Sequence, residues 1–136
     1  MRDTVTAVEA AIHLDHVSKE FGKPGTEAAY RAVDGLNLEV RPGQMLALLG
    51  KTGCGKSTIF NMIAGLTEPT SGTVRVSGRD PFSDFDSFRG RIAIVFQNDR
   101  LLPWRTAIQN VELGLEMLDV PAAKRREATA TPAASA

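Results

Sequence analysis

Eight residues constrain this chain more than any others. Gly50-Lys51-Thr52-Gly53-Cys54-Gly55-Lys56-Ser57 match the pattern G-x-x-x-x-G-K-[ST], and they stand between two contrasting stretches. Before them, residues 45–49 (MLALL) are apolar throughout, as in a strand buried on both faces. After them, Ile59, Phe60 and Ile63 recur at helical spacing, with Gly65 placed to end the helix and Pro69 beyond it. The order is strand, glycine loop, helix. At ordinary residue usage the four matched positions arise by chance in roughly one chain of this length in two hundred, before the flanking elements are considered.

Each position has a physical reason. Gly50, Gly53 and Gly55 let the backbone curl until successive N–H groups converge on one point. The helix that starts near Lys56 directs its unpaired N–H groups and positive dipole end there too. Such a cradle suits the phosphates of a nucleotide. Lys56 supplies a mobile cation for the β and γ phosphates, and the Ser57 hydroxyl is the expected Mg²⁺ ligand, with Thr58 adding a hydroxyl to phosphate. Lys51, Thr52 and Cys54 contribute mainly backbone. A thiol near a helix N-terminus can be activated, but no histidine pair accompanies Cys54, and loop packing is its expected role. His13 and His16, three positions apart near the first strand, do not make a metal set.

The rest of the chain supplies a frame for this loop. Ile12, Leu14 and Val17 suggest a strand leading into Phe21, and residues 22–29 read as a turn or loop. Leu36, Leu38 and Val40 alternate with polar residues in a half-buried strand, and Arg41-Pro42-Gly43-Gln44 suits a type II turn. Val74 and Val76 mark a short strand closed by Ser77-Gly78. Phe82, Phe85 and Phe88 are expected to anchor a connection to the core, and residues 92–96 to form a second buried strand. Thr106 and Gln109 have capping-box spacing before a helix that carries Ile108, Val111, Leu115 and Leu118 on one face, weakened by Gly114. Residues 1–10 are expected to be a loose terminus, and 129–136 (TATPAASA), with no large apolar residue, a disordered tail. Pro121 can open another helix, whose Lys124-Arg125-Arg126 run reads as a solvated face.

Composition narrows the partners. The chain has 136 residues, the length of one domain or part of one, with 43% hydrophobic and 24% charged residues, a globular mix. Lysine plus arginine and aspartate plus glutamate are 16 each, so there is no basic field for nucleic acid or for an anionic membrane surface. No apolar run nears the ~18 residues of a spanning helix, no secretory leader is evident, and the single cysteine fits a reducing compartment. The expected location is cytoplasmic.

With these segments in place, the sequence resembles the ATP-binding subunits of ABC transporters, especially bacterial importers for nitrate, sulfonate or taurine. The matching stretches are HLDHVSKEF, LNLEVRPGQMLALLGKTGCGKST, IFNMIAGLTEPTSGTVRVSG and IAIVFQNDRLLPWRTAIQNVELGLE, and the resemblance covers roughly residues 11–128. Lys51-Thr52 departs from the Pro-Ser more usual in the family. The implied fold is α/β, a P-loop NTPase with a RecA-like core and an antiparallel β subdomain. By this resemblance Phe21 is the aromatic that stacks on adenine, with Tyr30 as the alternative and a strand-end core role for Phe21 as the plainer reading. Gln97 is similar to the Q-loop glutamine, whose amide oxygen reaches Mg²⁺ and the attacking water. Residues 97–104, ending in Trp104, resemble the surface on which a transmembrane permease subunit docks, unless Trp104 is buried in the helical subdomain. Docking would place the chain at the inner face of the cell membrane, and full-length members are expected to form homodimers.

The family's LSGGQ signature, Walker B Asp-Glu and switch histidine are missing from these 136 residues. Without the Walker B pair, Mg²⁺ loses a carboxylate anchor and water has no group to polarise it. The expectation is therefore ATP binding without turnover, by about the front half of such a domain. The low-complexity end after Glu127 reads like the product of a frameshift. The absent strands would leave residues 45–49 or 92–96 partly unpaired, open to aggregation. Alternatives are a non-enzymatic nucleotide-binding module completed by a partner chain, or another P-loop NTPase.

Overall fold

A computed structural model describes residues 10–23, 26, 28–98 and 101–130. The loose terminus expected at 1–10 therefore falls, but for Ala10, outside the described residues, as does part of the 22–29 loop. The chain divides into two compact units, one running to Phe88 and the other from Arg89.

The first unit is built on three antiparallel strands. Strand β1 (Ile12–Phe21) lies between β2 (Tyr30–Val40) and β3 (Ser71–Val76), giving the order β2-β1-β3. Strands β1 and β2 pair from Ile12↔Val40 to Phe21↔Tyr30, with irregular register near His16, which takes a positive φ of 47°. The Asn37 side chain accepts the His16 N–H at 2.9 Å, keeping that irregularity hydrogen-bonded. As the period-two pattern predicts, Leu36, Leu38 and Val40 turn inward and Asn37 and Glu39 outward.

Helix α1 (Lys56–Ile63) covers the inner face. Leu14, Val17, Val33, Met62 and Val74 form the buried cluster, with Ile12, Ala32, Leu36, Leu38, Ile59 and Ile63 packed against it. Met62 is the helix's buried residue, whereas Phe60 is 54% exposed. Gly65 ends α1 as expected. Its N–H reaches the Met62 carbonyl at 3.1 Å and the Leu66 N–H reaches Asn61 at 2.8 Å, the paired bonds of a Schellman motif. Gly65 has φ +72°, and a Cβ there would fall 2.1 Å from the Pro81 carbonyl oxygen.

The turns follow their sequences. The Gln44 N–H bonds the Arg41 carbonyl at 3.1 Å with Gly43 at φ 75°. Ser77 (φ 47°) and Gly78 (φ 74°) form the two-residue turn that brings Val76 opposite Arg79. Of the three phenylalanines expected to anchor the following segment, only Phe88 is buried, at the end of a 3-10 turn (Phe85–Phe88). Phe82 and Phe85 stay partly exposed.

Helix α2 (Ala107–Met117) dominates the second unit. Its capping box is complete. The Thr106 hydroxyl accepts the Gln109 N–H at 3.4 Å, and the Gln109 side chain accepts the Thr106 N–H at 2.9 Å. Of the residues expected on its one apolar face, Ile108, Val111 and Leu118 are exposed and Leu115 is half-buried. Helix α3 (Ala122–Ala130) follows and takes in Thr129 and Ala130, two residues of the expected tail; 131–136 lie outside the described residues. The Arg125 guanidinium donates to the Val120 carbonyl at 2.8 Å and lies 3.7 Å from Glu112. Among the described residues no helix is long and apolar enough to cross a membrane.

Two expected buried strands do not form. Residues 45–49 and 92–96 belong to no strand, and Met45, Leu49 and Val95 are more than nine-tenths exposed. A strand exists only through ladder hydrogen bonds to a neighbouring strand, and among the described residues no strand pairs with these segments. Among the described residues the strands are those of the three-stranded antiparallel subdomain.

Candidate nucleotide-binding loop

The glycine loop leads directly into α1, whose N-cap, Gly55, is left-handed at φ 91° and offers no side-chain cap. No acidic residue stands in the first turn of the helix. Its leading N–H groups are therefore not neutralised by the protein, which suits an anion. Gly53 is also left-handed, at φ 82°. Gly55 cannot carry a side chain, because a Cβ there would sit 2.3 Å from the Ala32 carbonyl oxygen of β2. Gly50 needs no positive φ but is pinned by a close approach, since its Cβ would lie 2.7 Å from the Cys54 Sγ.

Lys56 folds back over the loop. Its ammonium donates to the carbonyls of Gly50 and Lys51, both at 2.7 Å, and contacts the Cys54 Sγ at 3.2 Å. The cation is thus held at the mouth of the cradle, beside the start of the helix. Cys54 is an exposed thiol within the loop. The hydrogen bond from Lys56 lowers its pKa below the ordinary thiol value. Ser57 is exposed and Thr58 partly buried in the first turn of α1.

Phe21 ends β1 opposite Tyr30, 44% exposed, with the Lys19 ammonium 5.2 Å from its ring centre. Neither aromatic is a core residue. Tyr30 carries a contact that sequence reasoning missed, as its hydroxyl donates to the Gly53 carbonyl at 2.8 Å. The first unit therefore brings Phe21, Tyr30 and the loop to one end of the β1–β2 pair.

Gln97 belongs to the second unit and is exposed. Downstream, Asn110 organises the connection to α2. Its carbonyl oxygen accepts the Leu102 N–H at 2.7 Å, and its amide donates to the carbonyls of Leu102, Arg105 and Thr106. Arg105 pairs with Glu116 through two hydrogen bonds of 2.7 and 3.3 Å. Held on this framework, Trp104 is 76% exposed and Leu101 67%, which overturns burial of Trp104 in the helical subdomain.

The loop fits a nucleotide's phosphates in donor chemistry, charge and helix orientation. For Mg²⁺ the first unit offers the exposed Ser57 hydroxyl at the start of α1. Among the described residues no three His, Cys, Asp or Glu side chains gather as a metal set.

Comparison with known proteins bears on this geometry. The chain is 44% identical over 118 residues to the taurine import ATP-binding protein TauB of Chromobacterium violaceum, an alignment covering 87% of this chain and 42% of the relative. It is also 44% identical over 116 residues to the spermidine/putrescine import ATP-binding protein PotA of Thermobifida fusca, covering 85% and 29%. The dimeric ATP-binding cassette MJ0796, solved in a post-hydrolysis state with ADP and Pi, superposes with a TM-score of 0.73 at 30% identity, over 85% of this chain and 53% of that one. The chain thus spans less than half the length of these relatives and about half of the solved cassette. Its fold is that of a partial ABC-type P-loop NTPase. Residues 33–135 match the ABC transporter family model, and the chain belongs to that family.

Proposed function

We propose that this chain binds ATP with Mg²⁺ as part of the energy-coupling ATP-binding subunit of an importer for a small anion such as nitrate, a sulfonate or taurine. The observation that carries the reading is the glycine loop at the uncapped start of α1, with the Lys56 ammonium held across it by two backbone carbonyls. In the bound state Lys56 neutralises phosphate oxygens while the N–H groups of the loop and first turn hydrogen-bond them. Ser57 would hold Mg²⁺, with Gln97 of the second unit as the further oxygen ligand implied by the family resemblance, and the ion would supply charge neutralisation at the phosphates. Phe21 offers a flat exposed face to adenine. The solute class is supported by taurine, nitrate and aliphatic sulfonate import proteins among the relatives; others are named for polyamines, glycerol phosphate and methionine.

The partner is a transmembrane permease subunit that docks on residues 97–104, led by the exposed Trp104, at the inner face of the membrane. A homodimer is the assembly of the whole cassette. The even charge balance argues against nucleic acid. Calorimetric titration with ATP, with and without Mg²⁺, tests the reading alongside a phosphate-release assay. The expected result is saturable Mg-dependent binding with turnover at background. Absent binding refutes the site, and steady Mg-dependent hydrolysis refutes the view that these residues alone do not complete the reaction.

One observation favours a second reading, a non-enzymatic nucleotide-binding module completed by another chain. The apolar segments 45–49 and 92–96 are largely exposed, and their composition suits pairing with strands supplied by another chain.

A further inference from the structure

The glycine loop is held to β2 at two places. The Tyr30 hydroxyl donates to the Gly53 carbonyl at 2.8 Å, and two residues further along β2 the Ala32 carbonyl closes on Gly55, where a Cβ would lie 2.3 Å away. The first contact has a directional consequence. The Gly53–Cys54 peptide is trans, so its C=O and N–H point in opposite directions. With the carbonyl held toward Tyr30, the Cys54 N–H turns the other way, back across the loop, where it reaches the Lys51 carbonyl at a long 3.4 Å. That same Lys51 carbonyl already accepts the Lys56 ammonium. The Cys54 N–H is thus aimed across the loop but only weakly used there.

We propose that Tyr30 is a positioning residue for the phosphate-binding loop, its hydroxyl holding the Gly53 carbonyl so that the Cys54 N–H faces an anion cradled by the loop. This deepens the nucleotide-binding reading above and rests on it. It also assigns the two aromatics at this end of the β1–β2 pair to different tasks. Phe21 is left for the base, and Tyr30 serves the loop rather than stacking. The phenol ring is 53% exposed, so its hydroxyl rather than core packing is the group that ties it down.

Tyr30→Phe deletes the hydroxyl and keeps the ring. Two measurements on the full chain test the proposal. The first is backbone amide exchange without nucleotide, where the amide of Cys54, which among residues 51–55 is the one with a backbone acceptor, should exchange roughly three to ten times faster in the variant, the factor expected from losing one neutral hydrogen bond. The amides of Leu14, Val17 and Val74 serve as an internal control and should be unchanged. The second is titration with ATP and with inorganic tripolyphosphate, which has no base. Tyr30→Phe should weaken both by a similar factor of roughly three to ten.

Unchanged loop exchange overturns the proposal, and so does a loss confined to ATP, which would make Tyr30 a base contact. Loss of protection at Leu14, Val17 and Val74 overturns it as well, because the hydroxyl would then hold the fold and not the loop. If the unaltered chain binds neither polyphosphate, the nucleotide reading fails by itself, and the exchange measurement still decides whether Tyr30 holds the loop.

Discussion

Replacing Lys56 with alanine probes the charge on which the proposed site depends. The ammonium has three N–H donors, directed at the Gly50 carbonyl, the Lys51 carbonyl and the Cys54 sulfur. The sulfur is the weakest of the three acceptors, so one donor can pass to a phosphate oxygen while both carbonyls remain bonded. Binding therefore costs little of the existing arrangement. A unit charge about 4 Å from a phosphate charge, at an effective dielectric constant near 20, gives about 4 kcal/mol. Allowing for desolvation of both groups, about 2–3 kcal/mol should survive, or roughly 30- to 140-fold in Kd. The two carbonyls that lose their donor are exposed to water, so the fold itself should lose no more than about 1 kcal/mol. Calorimetric titration with MgATP at physiological salt reads the affinity, and a thermal melt reads the fold. Adenosine, which carries no phosphate, should bind both chains equally. A change in MgATP Kd below about threefold, or an equal loss for adenosine, would refute the reasoning, since the cation would then be bearing on something other than phosphate.

Two further predictions follow from the loop. Gly55→Ala should destabilise the first unit by about 2–4 kcal/mol, combining a left-handed backbone cost of about 1–2 kcal/mol with a clash against the Ala32 carbonyl that backbone cannot yield. Gly43→Ala, also at positive φ but with open space around its Cβ, should cost only the conformational part, and equal melting temperatures for the two variants would contradict this account. Cys54 should react with iodoacetamide along a pH profile that inflects below that of a free thiol, because its lowered pKa favours the thiolate, and Lys56→Ala should move the inflection back up. For such a lowered pKa, the linked stability is present above the ordinary thiol pKa and lost as pH falls through the folded value. An inflection that Lys56→Ala does not move would remove Lys56 as its cause.

Much of the site could be read from the sequence because it is local. The loop's glycines, Lys56 and Ser57 act within eight consecutive residues, and the Schellman end at Gly65, the Ser77-Gly78 turn and the Thr106–Gln109 capping box each close within a few residues. What escaped reading joins distant parts of the chain. Tyr30 reaches Gly53 across 23 positions, and Gly55 is backed by Ala32. A tyrosine at the start of a strand gives no sign of where its hydroxyl will land.

The apolar segments show the same division. Residues 45–49 and 92–96 have strand composition, but composition supplies only side chains suited to a sheet, and the sheet's hydrogen bonds must come from a neighbouring strand. Here no described strand lies alongside them, and they stay exposed. By itself, the sequence determined the glycine loop proposed to bind phosphate, the caps and turns, and the resemblance to transport ATPases, since each depends on residue types at short fixed spacings. Only the tertiary structure decided which apolar runs are buried, which aromatic holds the loop and that Trp104 faces outward, because burial and long-range hydrogen bonds depend on what the folded chain brings alongside.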